Sequence, residues 1–74
     1  MSKYAVVYEA PSREAGNWSS YVPDLPGCVS VGDTLDECRT MMSEAIAAHL
    51  AFMRERGAPI PLPATVAETV EVAA

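Results

Sequence analysis

Gly32-Asp33-Thr34-Leu35-Asp36-Glu37-Cys38 is the stretch that decides how this chain is read. Gly32-Asp33 closes a short β run. Thr34-Leu35-Asp36-Glu37 then matches a capping box, in which the Thr34 hydroxyl accepts from the Glu37 amide and Glu37 reaches back to the cap. Asp36 and Glu37 suit the positive end of a helix dipole, and Arg54 and Arg56 suit the negative end. Gly57 is a natural left-handed cap, and Pro59 blocks further extension. A helix is therefore expected from Leu35 to about Arg56.

At 100° per residue, Leu35, Cys38, Met42, Ile46, His49, Leu50 and Met53 share one arc, which should face a sheet. A second arc holds Met41, Ala45, Ala48 and Phe52. Together the two exceed the stripe that one sheet covers, so the second arc is expected to meet another subunit, with Ala45 and Ala48 permitting close approach.

Upstream of the helix, period-two patterns predict three strands. Residues 3–10 alternate Tyr4, Val6 and Tyr8 with Ala5 and Val7, apolar on both faces. Residues 11–16 form a polar loop. Residues 17–22 return with Trp18 and Val22 on one face and Tyr21 on the other. Pro23-Asp24-Leu25-Pro26-Gly27 cannot continue a ladder, because each proline lacks a donor and restricts the residue before it. It must be an ordered turn, and residues 28–31 form the third strand.

Downstream, residues 58–63 (Ala-Pro-Ile-Pro-Leu-Pro) make a stiff extended connector. Residues 65–72 read as a closing strand with Val66, Val70 and Val72 on one face, expected to lie parallel to the first strand after a right-handed crossover. The expected fold is α+β, in the order β-β-β-α-β. It is one domain over residues 1–74, a small, mostly antiparallel sheet with one long helix on one face.

Composition narrows the function. Half of the 74 residues are hydrophobic, and ten Asp or Glu against five Lys or Arg give a net charge of −5. A chain of this mass should fold to about 4,400 Å² of surface, burying roughly 60% of the extended chain. Burial then contributes about 105 kcal/mol against about 110 of ordering cost, so oligomerisation is expected to supply the remainder. An acidic chain is a poor direct ligand for nucleic acid but suits a basic protein partner. No basic-then-apolar leader opens the sequence and no apolar run reaches membrane-spanning length, so a reducing cytoplasm is the expected address.

Catalytic constellations are weak. His49 sits in the apolar arc with no neighbouring orienter and reads as a core-edge residue. Cys28 and Cys38 lack zinc-ligand spacing, and they read as small buried hydrophobes rather than a nucleophile and resolver. Glu9, Asp24, Asp33, Glu44, Glu68 and Glu71 are scattered over turns and solvent faces, unlike a two-metal carboxylate cluster. Tyr4, Tyr8, Trp18 and Tyr21 could make a base-stacking platform, but only Lys3 and Arg13 stand near them. No metal or cofactor is expected. The turn at residues 23–28 keeps two compatible readings: it terminates two strands, and it presents a pre-ordered knob with little entropy left to lose on binding.

The run from Trp18 to Cys28, with Gly32-Asp33-Thr34, Glu37, Glu44-Ala45-Ile46, Gly57, Ile60-Pro61 and Pro63, resembles the HicB antitoxin family over nearly the whole chain. The resemblance implies a partial, degenerate RNase H-like fold without a demonstrated active site. It implies a non-enzymatic type II antitoxin that binds and neutralises HicA toxins, small basic proteins that cleave messenger RNA, and that forms dimers or higher oligomers. Many relatives add a C-terminal DNA-binding segment. None follows the last expected strand here, so promoter binding is not carried over. Many members also have Ala near Cys38 and Asn near Met41, and Met41 here strengthens the second arc.

The expected partner surface is Trp18, Tyr21, Pro23, Asp24, Leu25, Pro26 and Gly27, and the expected oligomer contact is Met41, Ala45, Ala48 and Phe52. Two other readings are an orphan homo-oligomeric adaptor without a toxin and a residual RNase H-type nuclease.

Overall fold

The computed structural model describes residues 2–73. Three strands, β1 (Val7–Glu9), β2 (Trp18–Tyr21) and β3 (Val29–Gly32), precede one helix, α1 (Leu35–Glu55). The strands form an antiparallel meander in the order β1-β2-β3. Val7 pairs with Tyr21 and Tyr21 with Val29, so these three side chains share a row on one face. Ser20 and Ser30 pair on the opposite face, which α1 covers.

The helix begins and ends where its sequence signals lie. Thr34 is extended, at φ −128° and ψ 162°, and its hydroxyl accepts the Glu37 amide at 3.1 Å. At the other end Arg56 caps the helix, and Gly57 follows at φ 66°. The sheet-facing arc is seated as its spacing predicts, with Cys38 and Met42 fully buried and Ile46 and Leu50 packed against the core.

Gly32 fixes how closely the helix follows the sheet. A Cβ there would stand 2.6 Å from the Cys38 backbone nitrogen and 3.0 Å from its Cα. Backbone cannot yield as a flexible side chain can, so only glycine allows this approach.

The core is small: Val22, Leu25, Cys28 and Met42, with Tyr4 and Val6 against its edge. One polar network crosses it. The Ser20 and Ser30 hydroxyls share a hydrogen bond of 2.6 Å, and the Ser30 hydroxyl also lies 3.2 Å from the Cys38 carbonyl. Sheet and helix N-terminus are thereby tied together, and no buried side-chain N or O among the described residues lacks a partner.

Three expectations need correction. The first strand forms a ladder only over Val7–Glu9, because β2 ends at Tyr21 and offers residues 3–6 no partner. The third strand begins at Val29, since Cys28 closes the turn before it. The fourth strand is not formed: residues 65–73 carry no ladder and pair with neither edge of their own sheet. The architecture of the chain is β-β-β-α followed by an extended arm.

Candidate functional site

The turn between β2 and β3 is built by two successive hydrogen-bonded bends. The Leu25 amide donates to the Val22 carbonyl at 3.1 Å, and the Cys28 amide donates to the Leu25 carbonyl at 3.1 Å. The Val22 amide closes the loop onto the Cys28 carbonyl at 3.2 Å. In the second bend Pro26 supplies a fixed φ and Gly27 follows at φ 85°, the residue pair a type II turn requires.

This geometry sends Leu25 inward. Its side chain is 1% exposed and lies under the turn with Val22, Cys28 and Met42, so it plugs the core rather than facing a partner. Asp24 is also engaged within the chain. Its carboxylate accepts from the Ala64 and Thr65 amides, both at 2.9 Å, and from the Thr65 hydroxyl at 2.8 Å. These bonds, led by the Ala64 amide, hold the Asp24 carboxyl below its ordinary value.

What faces outward is Pro23, Pro26 and Gly27 along the turn. Beside them, on the sheet face away from α1, stand Tyr21, 43% exposed, Val29, 62%, and Val31, 55%. Trp18 has the same parity in β2 as buried Ser20, so it belongs to the helix side, and the structure does not bring it to Tyr21. Val29 and Val31 were missed as site residues. Their alternation with Ser30 is a signal in the sequence, but the register that sets Val29 directly beside Tyr21 shows only in the fold.

The second helical arc lies in view of solvent. Met41, Ala48 and Phe52 are exposed, while Ala45 leans on the core. Arg56 stacks its guanidinium over the Phe52 ring, 5.2 Å from the centroid.

Catalytic groupings are sparse. Among the described residues no three His, Cys, Asp or Glu side chains gather as a metal site would require. Cys28 and Cys38 are free thiols, both buried, and burial pushes the Cys28 thiol up, away from the reactive thiolate. No helix among the described residues is long and apolar enough to cross a membrane.

A pre-ordered turn thus stands beside an outward apolar sheet face, on a small acidic α+β body. The sequence family described as HicB-like antitoxin of bacterial toxin-antitoxin systems matches residues 4–73, and the chain belongs to that family. It is also similar to an uncharacterised 14.9 kDa protein from the rep-hol intergenic region of Haemophilus phage HP1 (strain HP1c1). The two are 48% identical over 40 residues, 54% of this chain and 30% of the phage protein, so the matched region is under a third of that relative's length.

Proposed function

We propose that this chain is a non-enzymatic, cytoplasmic antitoxin that binds and neutralises a HicA-like, mRNA-cleaving toxin. Membership of the HicB-like antitoxin family over residues 4–73 is the observation that carries this reading. The net charge of −5 supports a basic partner, since complementary fields speed encounter and penalise wrong partners. The antiparallel three-stranded sheet under one helix supports the partial RNase H-like fold that the family resemblance implies.

In this mechanism the acidic surface steers the toxin, and the ordered turn docks on it with little further entropy loss. Tyr21, Pro23 and Pro26 make the contact, extended by Val29. Asp24, Leu25 and Gly27 act from behind, as clamp, plug and bend. Neutralisation then follows from covering the toxin's RNA-binding surface.

A homo-oligomer would use the Met41, Ala45, Ala48 and Phe52 arc, where small side chains admit a second helix. Ala48→Glu should lower the mass measured by light scattering, and an unchanged mass would remove this contact.

Co-expression with a small basic HicA-like toxin is the test. Restored growth and a copurifying complex are expected. A soluble pair that gives neither contradicts the proposal.

A further inference from the structure

Residues 65–73 have the makings of a strand and none of a strand's partners. Thr65, Val66, Thr69, Val70 and Val72 are β-branched, the residue type that suits a pleated surface. Yet Val66, Val70 and Val72 are 81%, 79% and 76% exposed. An extended segment left like this keeps its backbone donors and acceptors in water and buries no valine.

The root of the arm is held firmly. Pro61 and Pro63 confine the residues before them to extended backbone. The Tyr4 hydroxyl donates to the Pro61 carbonyl at 2.6 Å, and Asp24 takes the two amides and one hydroxyl described above. The body thus sets the direction in which the arm leaves, and along that direction it meets no strand of its own sheet. The radius of gyration is 14.0 Å, whereas a compact chain of this length would have about 11 Å.

Three observations identify the occupant. The same chain that carries a spare strand carries an open edge: among the described residues β1 has β2 on one side and no strand on the other. Next, α1 lies chiefly over β3 and β2, so the β1 margin is the less covered part of the sheet. Finally, the chain exposes 5777 Å², about 1,400 Å² more than a compact monomer of 7.9 kDa. A standard interface takes about 800 Å² from each partner, so the surplus is enough for a stable pair. A proline-stiffened connector that prevents an element from folding back is a setting in which copies exchange it.

We propose that the arm at residues 65–72 adds as a strand to the open β1 edge of a second copy, which returns its own arm in the same way. The exchange is reciprocal, so every ladder bond and every buried valine is gained twice. It restores in two chains the fourth strand that one chain cannot form. The contact is separate from the outward sheet face and turn, which stay free for a different protein.

The full chain, followed by light scattering and residue-resolved hydrogen exchange, tests this. The expected mass is an even multiple of 7.9 kDa. Alternate arm amides should exchange about tenfold or more slower than free coil. Val70→Pro removes one ladder donor, at a side chain exposed in its own protomer. It should halve the mass and deprotect the arm, with the helical circular dichroism unchanged. Mixing isotope-labelled and unlabelled copies should give contacts between the arm of one and β1 of the other. A 7.9 kDa species, coil-rate exchange along the arm in an oligomer, or a Val70→Pro variant that keeps both mass and protection would overturn the proposal. So would arm protection that appears only when a toxin is added, because the toxin would then be the occupant.

Discussion

The turn at residues 22–28 and the arm at residues 65–73 are both proline-flanked, and both carry apolar side chains outside the regular elements. In the turn, two hydrogen-bonded bends fold Leu25 under the sheet, where it fills the centre of the core. In the arm, three valines of similar hydrophobicity stand in solvent. Apolar character is the same in both. The difference lies in what the backbone is tied to, since the turn closes on its own strands while the arm is anchored at its root and pointed outward by Asp24.

The largest test of this contrast is Leu25→Ala. Emptying a fully buried leucine site costs about 3 kcal/mol. In a domain of this size that lowers the melting temperature by more than about 10 °C. Val66→Ala, measured at concentrations where the chain is monomeric, should stay within about 0.5 kcal/mol. Equal effects at the two sites in thermal unfolding would erase the distinction.

Gly32→Ala comes next, at about 2 kcal/mol, because the added methyl meets the Cys38 backbone rather than a movable side chain. Denaturant unfolding reads this directly, and a neutral result would show that the helix end can shift. Thr34→Ala should cost about 1 kcal/mol through the lost cap. Tyr21→Ala tests binding more than folding: it should cost about 1 kcal/mol of unfolding through its Val7 and Val29 neighbours yet weaken toxin binding about tenfold or more, read by calorimetry.

The smallest effect concerns pH. Asp24 is held below its ordinary value of 3.8, so its clamp contributes above that pH and is lost as pH falls through the lowered value. Exchange at Ala64 and Thr65, corrected for its intrinsic pH dependence, should accelerate in that acid range. In Asp24→Ala it should already be fast at neutral pH, because both amides lose their acceptor.

Much of the body was legible in the sequence because its signals are local. Thr34 with Glu37, and Gly57 after Arg56, mark the helix within a residue, and the parity of Val22 against Tyr21 assigned the faces of β2. The inward course of Leu25 was not legible: a leucine between two prolines looks exposed until the bonds to Val22 and Cys28 are known. Nor was the state of the arm. Period-two alternation reports the capacity to pair, while the partner depends on where the connector releases the chain, and that was set by Asp24, forty residues earlier. The outward site was only half legible for a related reason, since Val29 and Val31 join Tyr21 through register, which single-strand patterns do not reveal.

The central claim is that this acidic domain silences a basic RNA-cleaving toxin by binding it. An RNA-cleavage assay of a HicA-like toxin, titrated with the full chain, tests it most directly. Cleavage should fall in proportion to added chain and vanish at a fixed stoichiometry, and the endpoint should move to higher concentration in Tyr21→Ala. Cleavage that continues undiminished in a large molar excess of folded chain would contradict the account.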